Sequence, residues 1–262
     1  MIEPSRSKLL LHRLTAFCAL PGRLQVEGIP VLLHRLPPAF FGARIAVVSD
    51  VHLPDTMVSL RRLTEAVALQ RPDAVFLTGD LTNSYAPFAG EPLRELAAAM
   101  TSLAPCFAIP GNHELRLERE PLYRDILEQS GVHYMHDSYA DWEKDGAALR
   151  LFGMAQRRPA PLRLPAEQPA IVLAHKPQYM DYYVRARWNL VVAGHAHGGQ
   201  VRVAGRGVYS PGQGLLPAYI GGVYRQGDTT MVVSRGLGNS SIPVRVHNAA
   251  HLPLLLLLPA DD

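Results

Sequence analysis

Short, wholly apolar runs alternate with amphipathic stretches in the first half of the chain. Three runs rich in β-branched residues, at 44–49, 74–78 and 106–109, predict buried strands. The spacing of apolar residues predicts helices over 58–71, 92–103 and 122–130. Strands that alternate with helices are typical of a parallel sheet covered by helices, so this half is predicted to be α/β.

The second half contains more strand-like than helix-like pattern. Apolar runs predict strands at 149–153, 170–174, 190–193, 201–203, 231–234 and 253–258. One helix is predicted over 177–187, with a proline near its start. The first 40 residues do not share the pattern, and Pro37 and Pro38 mark a boundary. We therefore predict an N-terminal appendage at 1–40 and one domain at 41–262.

Polar side chains suited to metal binding follow five of the predicted strands. They are Asp50 and His52, Asp80, Asn112 and His113, His175, and His195 and His197. Ligands of open α/β sheets bind beyond the carboxyl ends of the strands, so we expect these side chains to converge. Carboxylate, imidazole and amide groups are ligands for Mn²⁺, Fe or Zn²⁺. The set contains no cysteine, which argues against a structural zinc site.

Each of these residues also has a simpler interpretation when it is taken alone. An aspartate after a strand, such as Asp50 or Asp80, more often caps a helix or forms a turn. Asn112 fits a turn, His113 fits a structural hydrogen bond, and the single-histidine block at His175 has no spacing signature. The joint occurrence of the whole set favours a metal site. The remaining histidines have no such context and are interpreted as surface or packing residues.

The order of these blocks closely resembles the calcineurin-like metallophosphoesterase superfamily. That family carries DxH, GD, GNH, H and GHxH in this order, and all five blocks stand unaltered here, within a resemblance that spans about residues 44 to 258. Residues 195–201, 216–219, 222–224 and 234–238 are similar to the bacterial phosphodiesterase branch that includes YkuE and YaeI.

The resemblance implies a four-layer α/β/β/α sandwich with two mixed sheets and a site for two divalent metal ions. It implies that Asp50, His52 and His197 hold the first metal, that Asn112, His175 and His195 hold the second, and that Asp80 bridges both. Manganese is the expected metal, with iron or zinc as alternatives. A metal-bridging hydroxide would attack phosphorus, and His113 would stabilise the developing charge and protonate the leaving group.

The expected reaction is hydrolysis of a phosphodiester or pyrophosphate bond. A lipid-linked nucleotide such as UDP-2,3-diacylglucosamine is one candidate substrate. One alternative is a protein Ser/Thr phosphatase, whose second block extends to GDxxDRG. Here residues 79–85 contain no arginine, which disfavours it. The other alternative is a non-catalytic scaffold, which would be expected to lose metal ligands or His113.

Composition narrows the protein class without naming a partner. Hydrophobic residues make up 48% and charged residues 19% of the chain, which is typical of a globular protein with a real core. The net charge of +3 is too small to predict specific nucleic acid binding, but it is compatible with an anionic substrate or membrane surface. The oligomeric state cannot be predicted from these features.

The chain has neither a signal-peptide pattern nor an apolar run long enough to span a membrane. We therefore expect a cytoplasmic location, with peripheral membrane contact through the apolar stretch 9–20 as an open alternative. The two cysteines, Cys18 and Cys106, lack zinc-finger spacing and are interpreted as reduced thiols.

Overall fold

The computed structural model describes residues 23–155, 168–239 and 245–260, which contain two six-stranded sheets and two small hairpins. The order of strands in the first sheet is β1 (Leu24–Leu33), β16 (Ala250–Pro259), β2 (Arg44–Val48), β3 (Ala74–Leu77), β4 (Cys106–Ala108) and β5 (His133–Tyr134). Strands β2 to β5 are parallel, β16 is antiparallel to β2, and β1 is parallel to β16.

The second sheet is also mixed. Its order is β14 (Gly222–Gln226), β15 (Thr229–Val233), β9 (Leu190–Ala193), β8 (Ile171–Ala174), β7 (Ala147–Met154) and β6 (Ser138–Lys144). The four central strands are parallel, and each edge strand is antiparallel to its neighbour. The predicted strands of the second half therefore form a sheet of their own.

Helices cover the outer faces of both sheets. The first sheet is covered by α1 (Leu60–Gln70), α2 (Gly90–Thr101) and α4 (Glu120–Gln129), and the second by the short α5 (Met180–Arg185). A one-turn helix, α3 (Asn112–Leu115), follows β4. The helix predicted over 177–187 is a 3₁₀ turn, Pro177–Tyr179, that leads into α5. Within the described ranges, no helix is long and apolar enough to cross a bilayer.

Burial on both faces explains why the central strands are wholly apolar. In β2, Ile45 and Val47 pack between the sheets, whereas Ala46 and Val48 pack under the helices. Successive strand side chains point to opposite faces, so a strand covered on both sides has no polar alternation. Side chains of both sheets meet in one core, where Phe76 contacts Trp142 edge to face at 6.3 Å. The predicted four-layer sandwich is confirmed.

Strand β1 lies within the region predicted to be an appendage. It pairs with β16 over ten consecutive residue pairs, and Ile29, Val31 and Leu33 are buried in the core between the sheets. The intervening Pro30 and Leu32 are exposed and Glu27 is only half-buried, so the segment lacks the apolar run of a central strand. The predicted boundary thus separates residues 24–33 from the sheet to which they belong. Residues 1–22 of the predicted appendage lie outside the described residues.

Two short hairpins follow β9, where the sequence predicted a single strand at 201–203. The first joins β10 (Arg202–Val203) to β11 (Arg206–Gly207), and the second joins β12 (Tyr209–Ser210) to β13 (Gly214–Leu215). Their strands are only two residues long, too short for a periodic hydrophobic pattern to reveal.

Candidate metal centre

The loops after β2, β3, β4, β8 and β9 meet at one rim between the two sheets. They bring together all eight predicted site residues, and the side chains of seven of them are buried. Five of these residues have left-handed backbone: Asp50, His52, Asp80, His195 and His197, with φ between 48° and 67°. That conformation costs a non-glycine residue about 1–2 kcal/mol, and such residues concentrate at functional sites.

The first cluster consists of Asp50, His52 and His197. The two histidine Nε2 atoms lie 3.1 Å apart, and His197 Nε2 lies 3.4 Å from Asp50 Oδ1. All three residues could offer one ligand atom within 4.8 Å of the others. Three buried acceptor groups that converge in this way are a suitable cage for a cation.

The second cluster consists of Asp80, His175 and His195, whose possible ligand atoms also lie within 4.8 Å of one another. His175 Nε2 is 3.0 Å from Asp80 Oδ2. Asp80 belongs as well to a group with His52 and His113, so it lies between the two clusters. The amide oxygen of Asn112 is buried without a hydrogen-bond partner, and the side chain borders the same cleft.

Hydrogen bonds fix the candidate ligands from behind. The Asp50 carboxylate accepts from Ser49 Oγ at 2.6 Å and from the backbone N–H of His195 at 2.9 Å. His175 Nδ1 lies 2.8 Å from the carbonyl oxygen of Thr78. A carbonyl oxygen can only accept, so Nδ1 carries a proton and Nε2 is the ring nitrogen that faces the cluster.

Burial and charge set the ionisation of the two carboxylates. Burial raises the pKa of Asp50 to about 6. Burial also raises the pKa of Asp80, but the charges of His175 and His113 outweigh it and hold that pKa well below its ordinary value. Asp80 therefore stays ionised between the clusters.

Burial and charge also set the protonation of the four histidines in the two clusters. Burial lowers the pKa of His52, His197 and His195, the last to about 3, so these imidazoles are neutral and their lone pairs are available. Burial also lowers the pKa of His175, but the charge of Asp80 outweighs it and raises that pKa to about 9. The donor set, with the unpartnered Asn112 oxygen, fits divalent cations.

His113 stands beside the clusters with a defined orientation. Its Nδ1 accepts from the backbone N–H of Ser84 at 2.9 Å, and its Nε2 lies 3.9 Å from Asp80 Oδ2. A backbone N–H can only donate, so the neutral ring carries its proton on Nε2, on the side of the cleft. Burial lowers the pKa of His113, although the charge of Asp80 opposes the shift.

Glu114 is a supporting residue that the sequence analysis missed. Its buried carboxylate accepts from the backbone N–H groups of Asp80, Thr82 and Gly111 at 2.8–2.9 Å and from the Thr82 hydroxyl at 2.9 Å. It thereby joins the loop after β3 to the loop after β4. Burial and the charge of Asp80 raise its pKa to about 7. Its position directly after Gly111-Asn112-His113 was the available signal.

Arg245 is a second residue that was missed. Its guanidinium is buried, donates to the carbonyl oxygen of Arg235 at 2.7 Å, and has Nη2 3.0 Å from His197 Nδ1. A guanidinium only donates, so it holds the His197 ring with Nε2 turned towards His52. Burial lowers the Arg245 pKa to about 10. No motif surrounds Arg245 in the sequence, so nothing there pointed to it.

The clusters open into a cleft of 390 Å³, a size suited to a small ligand. Its mouth is lined by side chains that include Arg116 and Lys176, and by the turn residues Pro211 and Gly212. Two cationic side chains at the mouth favour an anionic ligand.

Comparisons with known proteins place these observations in context. Residues 43–199 match the family described as calcineurin-like phosphoesterase. The chain is 27% identical to a protein of Danio rerio called "Transmembrane protein with metallophosphoesterase domain", over 97% of this chain and 63% of that protein. It thus spans less than two thirds of the length of that relative.

Two bacterial proteins are similar over most of their lengths. "Uncharacterized metallophosphoesterase YkuE" of Bacillus subtilis is 27% identical over 86% of this chain and 82% of its own length. "Phosphodiesterase YaeI" of Escherichia coli is 27% identical over 80% of this chain and 81% of its own length.

Proposed function

The chain belongs to the calcineurin-like phosphoesterase family, and we propose that it is a metal-dependent hydrolase of phosphodiester or pyrophosphate bonds. The sequence predicted this family and the branch that contains YkuE and YaeI, and the comparisons confirm both. The observation that carries the proposal is the convergence of two buried ligand clusters with Asp80 between them.

We assign Asp50, His52 and His197 to one metal, Asn112, His175 and His195 to the other, and Asp80 to both. The short distances within each cluster and the unpartnered Asn112 oxygen support this assignment. When bound, two divalent cations would lower the pKa of coordinated water and neutralise phosphoryl charge. Manganese is our first choice of metal, with iron or zinc as alternatives.

The residues of the chain itself would then bind and orient the substrate. Lys176 and Arg116 at the cleft mouth would attract the phosphate, and His113 would donate its Nε2 proton in a hydrogen bond to a phosphoryl oxygen. The Ser84 N–H fixes that tautomer, so the donor is in place before the substrate arrives.

The same contact narrows the role of His113. Ser84 N and His113 Nδ1 lie 2.9 Å apart. If His113 were doubly protonated, its Nδ1–H would point at the Ser84 N–H, and neither group could accept a hydrogen bond from the other. We therefore favour His113 as a hydrogen-bond donor to developing charge over His113 as the acid that protonates the leaving group. The two roles respond differently to the pKa of the leaving group.

The family and the cleft support our choice of substrate class. We propose a diester-type or pyrophosphate substrate, and UDP-2,3-diacylglucosamine remains our lipid-linked candidate. The protein phosphatase alternative is weaker because residues 81–85 supply no arginine. In this loop, Thr82 is held by Glu114 and Asn83 donates to Asp55 at 3.0 Å. A cytoplasmic location with peripheral membrane contact likewise remains a proposal.

A phosphoester panel on protein of measured metal content tests this proposal. The panel contains bis-p-nitrophenyl phosphate, p-nitrophenyl phosphate and UDP-2,3-diacylglucosamine. We expect hydrolysis that a chelator removes and Mn²⁺ restores, with the diester or the pyrophosphate cleaved faster than the monoester. Protein that binds two metal ions per chain and hydrolyses none of the panel would support the non-catalytic scaffold.

A further inference from the structure

The hairpins after β9 expose an unusual amount of apolar surface. Thirteen large hydrophobic side chains are exposed in the described part of the chain, and five of them lie between residues 203 and 216. We call these five residues the double-hairpin surface: Val203, Val208, Tyr209, Leu215 and Leu216. Leu215 and Leu216 are 76% and 79% exposed. Apolar residues concentrated in one exposed segment mark an interaction site.

Backbone pairing makes four of these side chains neighbours. Tyr209 is the cross-strand partner of Leu215, and the N–H of Leu216 donates to the carbonyl oxygen of Val208 at 3.0 Å. Cross-strand partners share a face, so Tyr209 and Leu215 lie on the same face of the hairpin. Val208 and Leu216 stand just outside the two strands, at the open end of the hairpin. The hairpin therefore presents four exposed apolar side chains close to one another.

The charge of the segment has a single sign. Residues 201–216 include Arg202 and Arg206 and contain no aspartate or glutamate. Arg206 is exposed and is the cross-strand partner of Val203. Basic residues beside exposed apolar side chains complement the negative surface of a membrane that contains anionic lipids.

The same hairpin reaches the metal cleft with its turn. Pro211 and Gly212 line the cleft, and a Cβ atom on Gly212 would lie 3.0 Å from His195 Nε2. Leu215 is three residues further along, which is at most about 10 Å of extended chain. A layer that received Leu215 and Leu216 would therefore lie close to the cleft mouth.

We propose that the double-hairpin surface docks on an anionic lipid bilayer and holds the cleft mouth at the headgroup level. The docking stands on the apolar and basic side chains alone and does not depend on the proposed hydrolysis. Together with the proposed hydrolysis, this docking would bring the metal site within reach of phosphate esters in the headgroup region of lipids.

Vesicle co-sedimentation of the full chain, without substrate, tests the docking. The probes are phosphatidylcholine vesicles and mixed phosphatidylcholine–phosphatidylglycerol vesicles. Leu215→Asp/Leu216→Asp should bind the mixed vesicles about tenfold or more weakly than the wild type, because two leucines lose their apolar burial. Leu69→Asp/Leu122→Asp is the matched control, since these leucines are 79% and 51% exposed on α1 and α4. The control should bind like the wild type.

A further variant separates charge from apolar contact. Arg206→Ala, which removes the exposed arginine of the first hairpin, should weaken binding to the mixed vesicles by about fivefold. It should leave the weaker binding to pure phosphatidylcholine unchanged. Equal losses on both kinds of vesicle would contradict the charge complementarity on which the choice of an anionic bilayer rests.

Three results would overturn the docking. These are no binding by the wild type, equal binding by Leu215→Asp/Leu216→Asp, or a wild-type dimer that this variant converts to monomer without vesicles. The last result would assign the surface to contacts between copies of the chain. Circular dichroism and metal content would verify that the variant folds, and Leu215→Ser/Leu216→Ser would replace it otherwise. Because vesicle binding needs no turnover, a failed activity panel leaves this result unaffected.

Discussion

The rim of the metal site and the double-hairpin surface lie side by side and are built in opposite ways. At the rim, the Asp50 and Asp80 carboxylates are buried and fixed by backbone N–H groups from other loops. The hairpins have two-residue strands and expose their large side chains. The rim therefore holds its candidate ligand atoms at fixed distances, whereas the hairpins leave large apolar side chains without packing partners on their exposed side.

Asp80→Ala should have the largest effect of the changes at the rim. It removes the carboxylate shared by both clusters, so we expect fewer than two metal ions per chain and hydrolysis below detection. Inductively coupled plasma mass spectrometry and the phosphoester panel measure the two effects. Asp73→Ala is the matched control, since Asp73 precedes β3 at the opposite end of the strand. Full activity of Asp80→Ala would contradict the proposed metal centre.

His113→Ala should leave the metal content unchanged and lower turnover by about 10²–10³-fold, because it removes a donor to developing charge. The loss should be the same for diesters with p-nitrophenol and with poorer leaving groups, as expected of a hydrogen-bond donor. A loss that grows with the pKa of the leaving group would instead identify His113 as the general acid. Wild-type turnover by His113→Ala would exclude both roles.

Glu114→Gln tests whether the rim depends on its support from behind. The amide would place N–H groups against the backbone donors of Asp80, Thr82 and Gly111, so we expect a loss of about 2 kcal/mol in the free energy of unfolding. Metal affinity should fall by about 10–100-fold. Denaturant unfolding in chelator and calorimetric metal titration measure these effects. Glu118→Gln, an exposed carboxylate nearby, should change neither quantity.

The smallest effect is expected from the double-hairpin surface itself. Leu215→Asp/Leu216→Asp should change the hydrolysis of soluble bis-p-nitrophenyl phosphate by less than about twofold, because neither side chain is packed. Gly212→Ala should have a larger effect, since its new methyl group would lie 2.6 Å from Gln178 Nε2 at the cleft wall. Steady-state kinetics of both variants would show which of these residues affect hydrolysis and so belong to the rim. A larger loss in the leucine variant would place that surface within the catalytic machinery.

The sequence predicted the features that depend on local pattern, and it missed those that depend on pairing between distant parts of the chain. The central strands were visible because burial on both faces makes them wholly apolar, and the candidate ligands were visible because each follows such a strand. Strand β1 was hidden because it is an edge strand with exposed alternate positions and pairs with a partner more than 200 residues away. The hairpin strands were too short to produce a period.

The supporting residues of the site were hidden for a related reason. Glu114 stood next to a predicted block, but three of its four donors lie in the loop after β3, which folds against the loop after β4. Arg245 reaches His197 across 48 residues of sequence, and no spacing connects them. Candidate ligands can thus be predicted from residue type and strand position, whereas the groups that orient them require the tertiary structure.

The place of β16 in the first sheet has a consequence for the order of events during synthesis. Among the described strands the ribosome releases it last, yet it lies between β1 and β2 and pairs with both. Until residue 259 has emerged, β1 lacks the partner that it has in the folded sheet, and one edge of β2 offers unpaired backbone groups to any extended peptide nearby. Completion of the first sheet therefore has to wait until β16 has been synthesised.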